Sequence, residues 1–171
     1  MNLRIVTDST CDLPAETARL LDITVIPLNI HVGERTFLDG VDLTREEFYT
    51  RLPGFTPAPH TAAPGPEVFA QTYERLANEG AQAILSIHIS ESLSATVNSA
   101  RAAAEEFTRI PVTVLDSGQL SLGMGFLVEK AAQLAQVPQI RTMLVEPKLG
   151  PMEKGQADGI SVRSMEMFQA F

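Results

Sequence analysis

The apolar residues of this chain switch repeatedly between the period of a strand and that of a helix, which constrains the fold more than any motif does. Leu3-Arg4-Ile5-Val6 reads as a short buried strand, and Asp12 stands where it would cap a helix running from Pro14 to Leu21. Ile23 to Ile30 reads as the next strand, turned back at Gly33-Glu34 into Arg35-Thr36-Phe37-Leu38 as a hairpin. Thr44-Arg45-Glu46-Glu47 has the form of a capping box, opening a helix that ends near Leu52. Five prolines and two glycines between Pro53 and Pro66 mark that stretch as a loop.

The second half is more regular. Val68, Phe69, Thr72, Tyr73, Leu76 and Ala77 form a helical stripe that Gly80 stops, and Ala83 to Ile87 follows as a strand. Val97, Ala100, Ala104 and Phe107 form another stripe, Pro111 to Leu115 another strand, and Leu127 to Leu134 another helix. This order predicts an α/β fold: a mainly parallel sheet with helices on both faces and right-handed crossovers. No internal repeat is visible. Beyond Gln136 the pattern stops, because Pro138, Pro147, Gly150, Pro151, Gly155 and Gly159 interrupt every period. The expected organisation is therefore an α/β lobe over 1–135 and an irregular tail or partial second lobe over 136–171.

Composition removes several classes of function. With 171 residues, 44% of them hydrophobic, the chain can bury one sizeable core, or one core and part of a second. A formal charge of -8 with only 13 Lys plus Arg gives no cationic surface for nucleic acid or for an anionic bilayer. No apolar run approaches the length of a membrane span, and Met1-Asn2-Leu3-Arg4 leads into a strand rather than a signal core, so a cytoplasmic location is expected. Cys11 is the single cysteine, which permits no internal disulfide and agrees with a reducing compartment.

Chemistry-bearing residues gather in four polar loops that each follow an apolar run: TDSTCDLP from Thr7, PHTAAP from Pro59, SIHISESLSAT from Ser86 and LDSGQLSLGMG from Leu115. Open α/β sheets place ligands at the edge where strands end. Small hydroxyls and amides crowd there without an obvious catalyst, which suits a cradle for a polar head group. The sequence lacks the second carboxylate of a DxD phosphatase after Asp8, a GK[ST] phosphate loop, and a GxSxG elbow around Ser94. His31, His60 and His88 lack metal-ligand spacing, so neither a metal nor a cofactor is expected. Cys11 has no basic neighbour in sequence and reads as a small loop thiol. Asp8 reads as the anchor of its own loop by an Asx-type bond, with Asp116 and Ser117 read the same way, and His88 as a satisfied core imidazole.

Taken in order, TDSTCDLP, VIPLNIHVGERTFLDGVDLTREEFY, PHTAAP, ISESLSATVNSA and LDSGQLSLGMGFLV resemble the amino-terminal lobe of the DegV family of bacterial fatty-acid-binding proteins, from Ile5 to about Ala135. The resemblance implies a DegV-like, two-lobed protein that buries one long-chain fatty acid and holds its carboxyl at the polar loops. It implies a carrier without catalysis of its own, presenting that carboxyl to the ATP-binding subunit of a fatty-acid kinase for acyl-phosphate formation in phospholipid synthesis. Thr61 matches the family's carboxyl-binding threonine and Ser94 its carboxyl-binding serine. Around them the head-group set includes Ala95, His60, Ser9 and Thr10, with His60 able to bring positive charge near a carboxylate. Ser92 and Ala95 stand where family members often carry glycine, and the Ser-Gln that commonly follows the threonine is replaced. Val145-Glu146-Pro147, Gly155 and Ser161-Val162-Arg163 resemble a stretch of the second lobe, in which the position of Arg163 docks the kinase. On that alignment the second lobe is incomplete within these 171 residues.

Each residue also has a plainer reading. Thr61 and Ser94 would serve as helix caps contributing ~1 kcal/mol each, and His60 as a solvated loop residue. Two alternatives to fatty-acid binding stay open: a small-molecule enzyme of unknown class in which Asp8, His60 and Ser94 converge, and a truncated remnant that binds nothing.

Overall fold

The computed structural model describes residues 2–137. The expected tail and Arg163 fall outside the described residues. Four strands form an entirely parallel sheet in the order β2-β1-β6-β7: β1 (Leu3–Asp8), β2 (Ile23–Ile26), β6 (Ala83–His88) and β7 (Val112–Asp116). Helices α1 (Ala15–Leu20) and α5 (Leu122–Ala135) cover one face, α3 (Pro66–Asn78) and α4 (Thr96–Glu106) the other.

Strand alternation explains this two-sided burial. Ile5, Leu85 and Ile87 point to one side and pack with Ala18, Met124, Val128 and Ala132. Val6 and Ile84 point to the other, against Phe69, Tyr73, Leu76, Ala100 and Ala103. Strands buried on both faces need apolar residues on both sides, which Ile5-Val6 of β1 and Ala83-Ile84-Leu85 of β6 supply, while Thr7, Asp8, Ser86 and His88 are polar residues buried toward their carboxyl ends.

A second, three-stranded antiparallel sheet in the order β4-β3-β5 carries part of the site: β3 (Asn29–Val32), β4 (Arg35–Leu38) and β5 (His60–Ala62). The expected strand from Ile23 to Ile30 is thus two strands in two sheets. Pro27 has no N–H to pair, and the N–H of Leu28 is donated to the Ser9 hydroxyl oxygen at 3.1 Å, so the ladder breaks between them. The segment expected to be wholly loop contains β5, whose Thr61 pairs with Ile30 and whose His60 pairs with His31. The expected capping box is present at α2 (Arg45–Arg51): Thr44 accepts from the Glu47 amide at 3.2 Å and Glu47 accepts from the Thr44 amide at 3.0 Å.

Asp12 does not cap α1. It sits in the left-handed region at φ 54° and ends a short 3-10 turn over Ser9–Cys11, while Pro14 precedes the helix without a side-chain cap. Its carboxylate turns toward Arg45 and Ser121 instead. Helix α5 begins at Leu122, five residues before the expected Leu127, although Gly123 and Gly125 read as loop. A Cβ on Gly125 would collide with the Cys11 carbonyl oxygen, so this glycine lets the helix lie directly on the first loop.

Candidate functional site

The sheet creates the site by its strand order. β1 is followed by α1 on one face and β6 by α4 on the other, so the loops leaving these neighbouring strands diverge and open a crevice at their carboxyl ends. A cleft of about 910 Å³ lies there, within the range of ~300–1,000 Å³ common to small-molecule sites. The first sheet contributes Ser9, Thr10 and Asp12 from the loop after β1, and Ile89, Leu93, Ser94 and Ala95 from the loop after β6. The second sheet and its connections contribute Ile30, Asp39, Arg45, Tyr49, His60 and Thr61.

All six expected head-group residues, Ser9, Thr10, His60, Thr61, Ser94 and Ala95, line this one cleft. Their hydroxyls are not equally available. Ser9 accepts from Leu28, and the Thr10 hydroxyl donates to Asp8 at 2.5 Å, so both are engaged in holding the loop. Ser94 accepts from the Thr96 amide at 3.3 Å and shares a hydrogen bond of 2.9 Å with the Thr96 hydroxyl, which ties it to the first turn of α4. It therefore supports the helix start and faces the cleft at once. Thr61 is exposed on β5 and caps no helix; its hydroxyl has no partner among the described residues. His60 is exposed and stacks on His31 with ring centroids 5.1 Å apart, while His31 bonds to the Thr36 hydroxyl at 2.8 Å.

Beneath the cleft a buried chain of hydrogen bonds locks the two diverging loops together. One Asp8 oxygen accepts from the Thr10 amide at 3.1 Å, and the other accepts from His88 Nδ1 at 2.9 Å and from the Ile89 amide at 3.1 Å. His88 Nε2 then meets Ser86 Oγ at 2.7 Å, which in turn accepts from the Tyr73 hydroxyl at 3.0 Å. With Nδ1–H pointing at Asp8, every donor in the chain has an acceptor. Burial alone would raise the Asp8 pKa, but the hydrogen bond from His88, the charge that imidazole carries when protonated, and the bonds from Thr10 and Ile89 outweigh it and hold the carboxyl below its ordinary value. Burial pushes the Tyr73 hydroxyl up to about 12, against the smaller opposing pull of Ser86.

Asp8 and His88 are fully buried and absent from the cleft lining, and the hydrogen-bond partners of Asp8 are Thr10, His88 and Ile89 rather than His60 or Ser94. The anchor role expected of Asp8 and the satisfied imidazole expected of His88 are what the fold contains. Asp116 accepts from the Gly118 amide at 2.9 Å and the Glu91 amide at 3.3 Å, and Ser117 bonds to the Gln119 backbone, so both shape loops beside the site. Burial pushes the Cys11 thiol up, with the charges of Asp8 and Asp12 adding to it, which makes this cysteine a poor nucleophile. Among the described residues, no group of three or more His, Cys, Asp or Glu is placed to hold a metal ion, and no helix is long and apolar enough to cross a membrane.

The sequence reading missed Arg45, Asp12, Asp39 and Ser121 as cleft residues. Arg45 looked like part of a helix start, and only the packing of α2 against the first loop brings its guanidinium to the Ser9 carbonyl at 3.1 Å and to Asp12. The apolar rim was missed as well: Tyr49, Leu93 and Leu120 line the cleft while 68%, 60% and 50% exposed.

The fold is an open parallel α/β sheet with a hydroxyl-lined, apolar-rimmed crevice at its switch point, the place where sheets of this class commonly take ligands. The chain belongs to the DegV family: the family model described as uncharacterised protein, DegV family, matches residues 2–140. A DegV domain-containing protein of Deinococcus radiodurans is 42% identical over 144 residues, which cover 82% of this chain and 50% of that protein. A Thermus thermophilus DegV-family protein described for its fatty-acid binding superimposes with TM-score 0.73 at 39% identity, over 82% of this chain and 49% of that one. DegV of Bacillus subtilis, a fatty acid binding protein, superimposes with TM-score 0.75 at 34% identity, over 81% of this chain and 50% of that one. The chain spans about half the length of the curated relatives it matches.

Proposed function

We propose that this protein is a fatty-acid carrier: its cleft receives the carboxyl of one long-chain fatty acid, with Thr61 and Ser94 donating to it. One observation carries this reading. Thr61 stands on β5 of the second sheet and Ser94 in the loop that leaves β6 of the first, yet they line one cleft whose rim is apolar. The fatty-acid binding of the Thermus and Bacillus relatives supports the same ligand class.

The two kinds of contact have different work to do. Burying an acyl chain contributes roughly 0.8 kcal/mol per CH₂, whereas each hydrogen bond to a charged carboxylate contributes roughly 1.5–3 kcal/mol. The chain supplies affinity and the hydroxyls supply orientation. His60, Ala95, Ser9 and Thr10 complete the head-group wall, with Ser9 and Thr10 acting through the loop they hold. The lobe over 1–135 is the ligand-holding unit in this proposal. Its place is the cytoplasm, where it offers the carboxyl to the ATP-binding subunit of a fatty-acid kinase, Arg163 contributing to that docking, and acyl phosphate then feeds phospholipid synthesis. The carrier itself performs no chemistry.

Native mass spectrometry of the full chain purified from a bacterial host, followed by denaturing extraction, tests the reading directly. A mass corresponding to the protein plus one fatty acid is expected. The double variant Thr61→Val, Ser94→Ala should keep its fold by circular dichroism and lose roughly tenfold or more in fatty-acid affinity. Unchanged affinity in that variant would falsify the head-group assignment.

A further inference from the structure

Among the described residues, Arg45 is the only lysine or arginine that lines the cleft. It is the first residue of α2, where a cation opposes the helix dipole, so the helix it belongs to does not account for it. Instead its guanidinium reaches across to the loop after β1, pairing with Asp12 and donating to the Ser9 carbonyl at 3.1 Å. Asp12 is held on its other oxygen by the Ser121 hydroxyl, from the start of α5. Of the five N–H donors of a guanidinium, two are occupied by these partners, and the side chain remains 53% exposed. The other three donors have no protein partner among the described residues.

The charge balance of the cleft gives this residue its importance. Among the described residues its lining carries two carboxylates, Asp12 and Asp39, and one guanidinium. An anionic head group entering such a cleft meets like charge on two sides, and Arg45 is what offsets it. Burial works against the Arg45 cation, but the hydrogen bond and charge of Asp12, with the charge of Asp39, outweigh it and keep the guanidinium protonated. We propose that Arg45 is the cationic contact of the anionic head group, shared between Asp12 and the ligand carboxylate, and that it makes the cleft select a carboxylate over a neutral head group. This rests on the fatty-acid reading above and adds to it the residue that sets charge preference. Thr61 and Ser94 can also donate to an alcohol or an ester oxygen, in weaker bonds than to a carboxylate; a guanidinium adds a full positive charge and sharpens that discrimination.

The test is titration of the delipidated full chain with hexadecanoate and with hexadecanol, at low and high salt. The wild type is expected to prefer hexadecanoate, with a preference that shrinks as salt rises. Arg45→Gln should lose about tenfold to a hundredfold in hexadecanoate affinity while hexadecanol binding stays within about twofold. Arg45→Lys should recover part of the loss. Asp12→Asn, which keeps an oxygen for Ser121, removes a like charge and should bind hexadecanoate more tightly than the wild type. Equal losses for both ligands in Arg45→Gln, or weaker hexadecanoate binding in Asp12→Asn, would mark the ion pair as a strut and overturn the proposal. Undiminished hexadecanoate affinity in Arg45→Gln beside a loss in the Thr61, Ser94 double variant overturns the role of Arg45 and leaves the fatty-acid reading standing. A wild type that binds neither ligand overturns both.

Discussion

Gly125 shows how far a single missing methyl group can matter to the site. It lies inside α5, where replacing glycine by alanine ordinarily favours the helix by about 1 kcal/mol. Here the added Cβ would meet the Cys11 carbonyl oxygen, and backbone cannot rotate away as a flexible side chain would. Overpacking costs about 1–3 kcal/mol, and a clash with backbone rather than with a flexible side chain belongs toward the upper end, above the helix gain. Gly125→Ala is expected to destabilise the protein by up to about 2 kcal/mol on balance and to push the loop bearing Ser9, Thr10 and Asp12 out of register with the cleft. A denaturant titration and a fatty-acid titration of the same variant check it; a more stable variant would show that the loop gives way at no cost. Asp12 makes the same point from the other side. Its type and position suit a helix cap, yet its left-handed backbone turns the carboxylate to Arg45 and Ser121, residues that are 33 and 109 positions away in sequence.

At the scale of elements, α2 is the piece whose stability comes most from its ends. None of its residues is buried, so the core contributes little, and the reciprocal bonds of Thr44 and Glu47 carry a large share. Thr44→Ala is expected to cost about 1 kcal/mol locally and to raise amide exchange across 45–51 while leaving β1 and β6 protected. Hydrogen exchange read by mass spectrometry measures this, and uniform exchange changes over the whole chain would refute a local role. Because α2 carries Arg45, the cap connects to ligand charge preference as well. The capping box was legible because its signal is local: two residue types three apart. Strand β5 was not, because its pairing partner β3 lies about thirty residues earlier and prolines surround it.

For the molecule as a whole, the buried chain through Asp8, His88, Ser86 and Tyr73 couples the carboxyl ends of β1 and β6 to the core. The folded protein holds the Asp8 carboxyl below its unfolded value, burial opposing and His88 the leading cause of the depression. The stabilisation is therefore present above the unfolded carboxylate value of about 4 and is lost as pH falls through the lower folded value. Stability of the wild type should drop on acidification below about pH 4, and Asp8→Asn should be less stable at neutral pH with a shallower acid profile. Urea midpoints measured from pH 6 down to pH 3 give the comparison; parallel profiles would remove Asp8 from the account of acid sensitivity.

What the sequence by itself determined was the order and type of most elements, which rest on short-range periodicity, and the local bonds of the capping box and the Asp8 turn. The parallel sheet with helices on both faces follows from apolar runs alternating with helical stripes, and Asp8 as a loop anchor follows from an Asx-turn pattern. Resemblance of ordered blocks brought Thr61 and Ser94 together before any coordinates did. Only the tertiary structure decided which groups share the cleft with them. Arg45, Asp12 and Ser121 carry no motif that joins them, and their meeting depends on α2, the first loop and α5 packing around one crevice. Side-chain charge and hydroxyls are written in the sequence, but through-space distance between elements is set by how those elements pack.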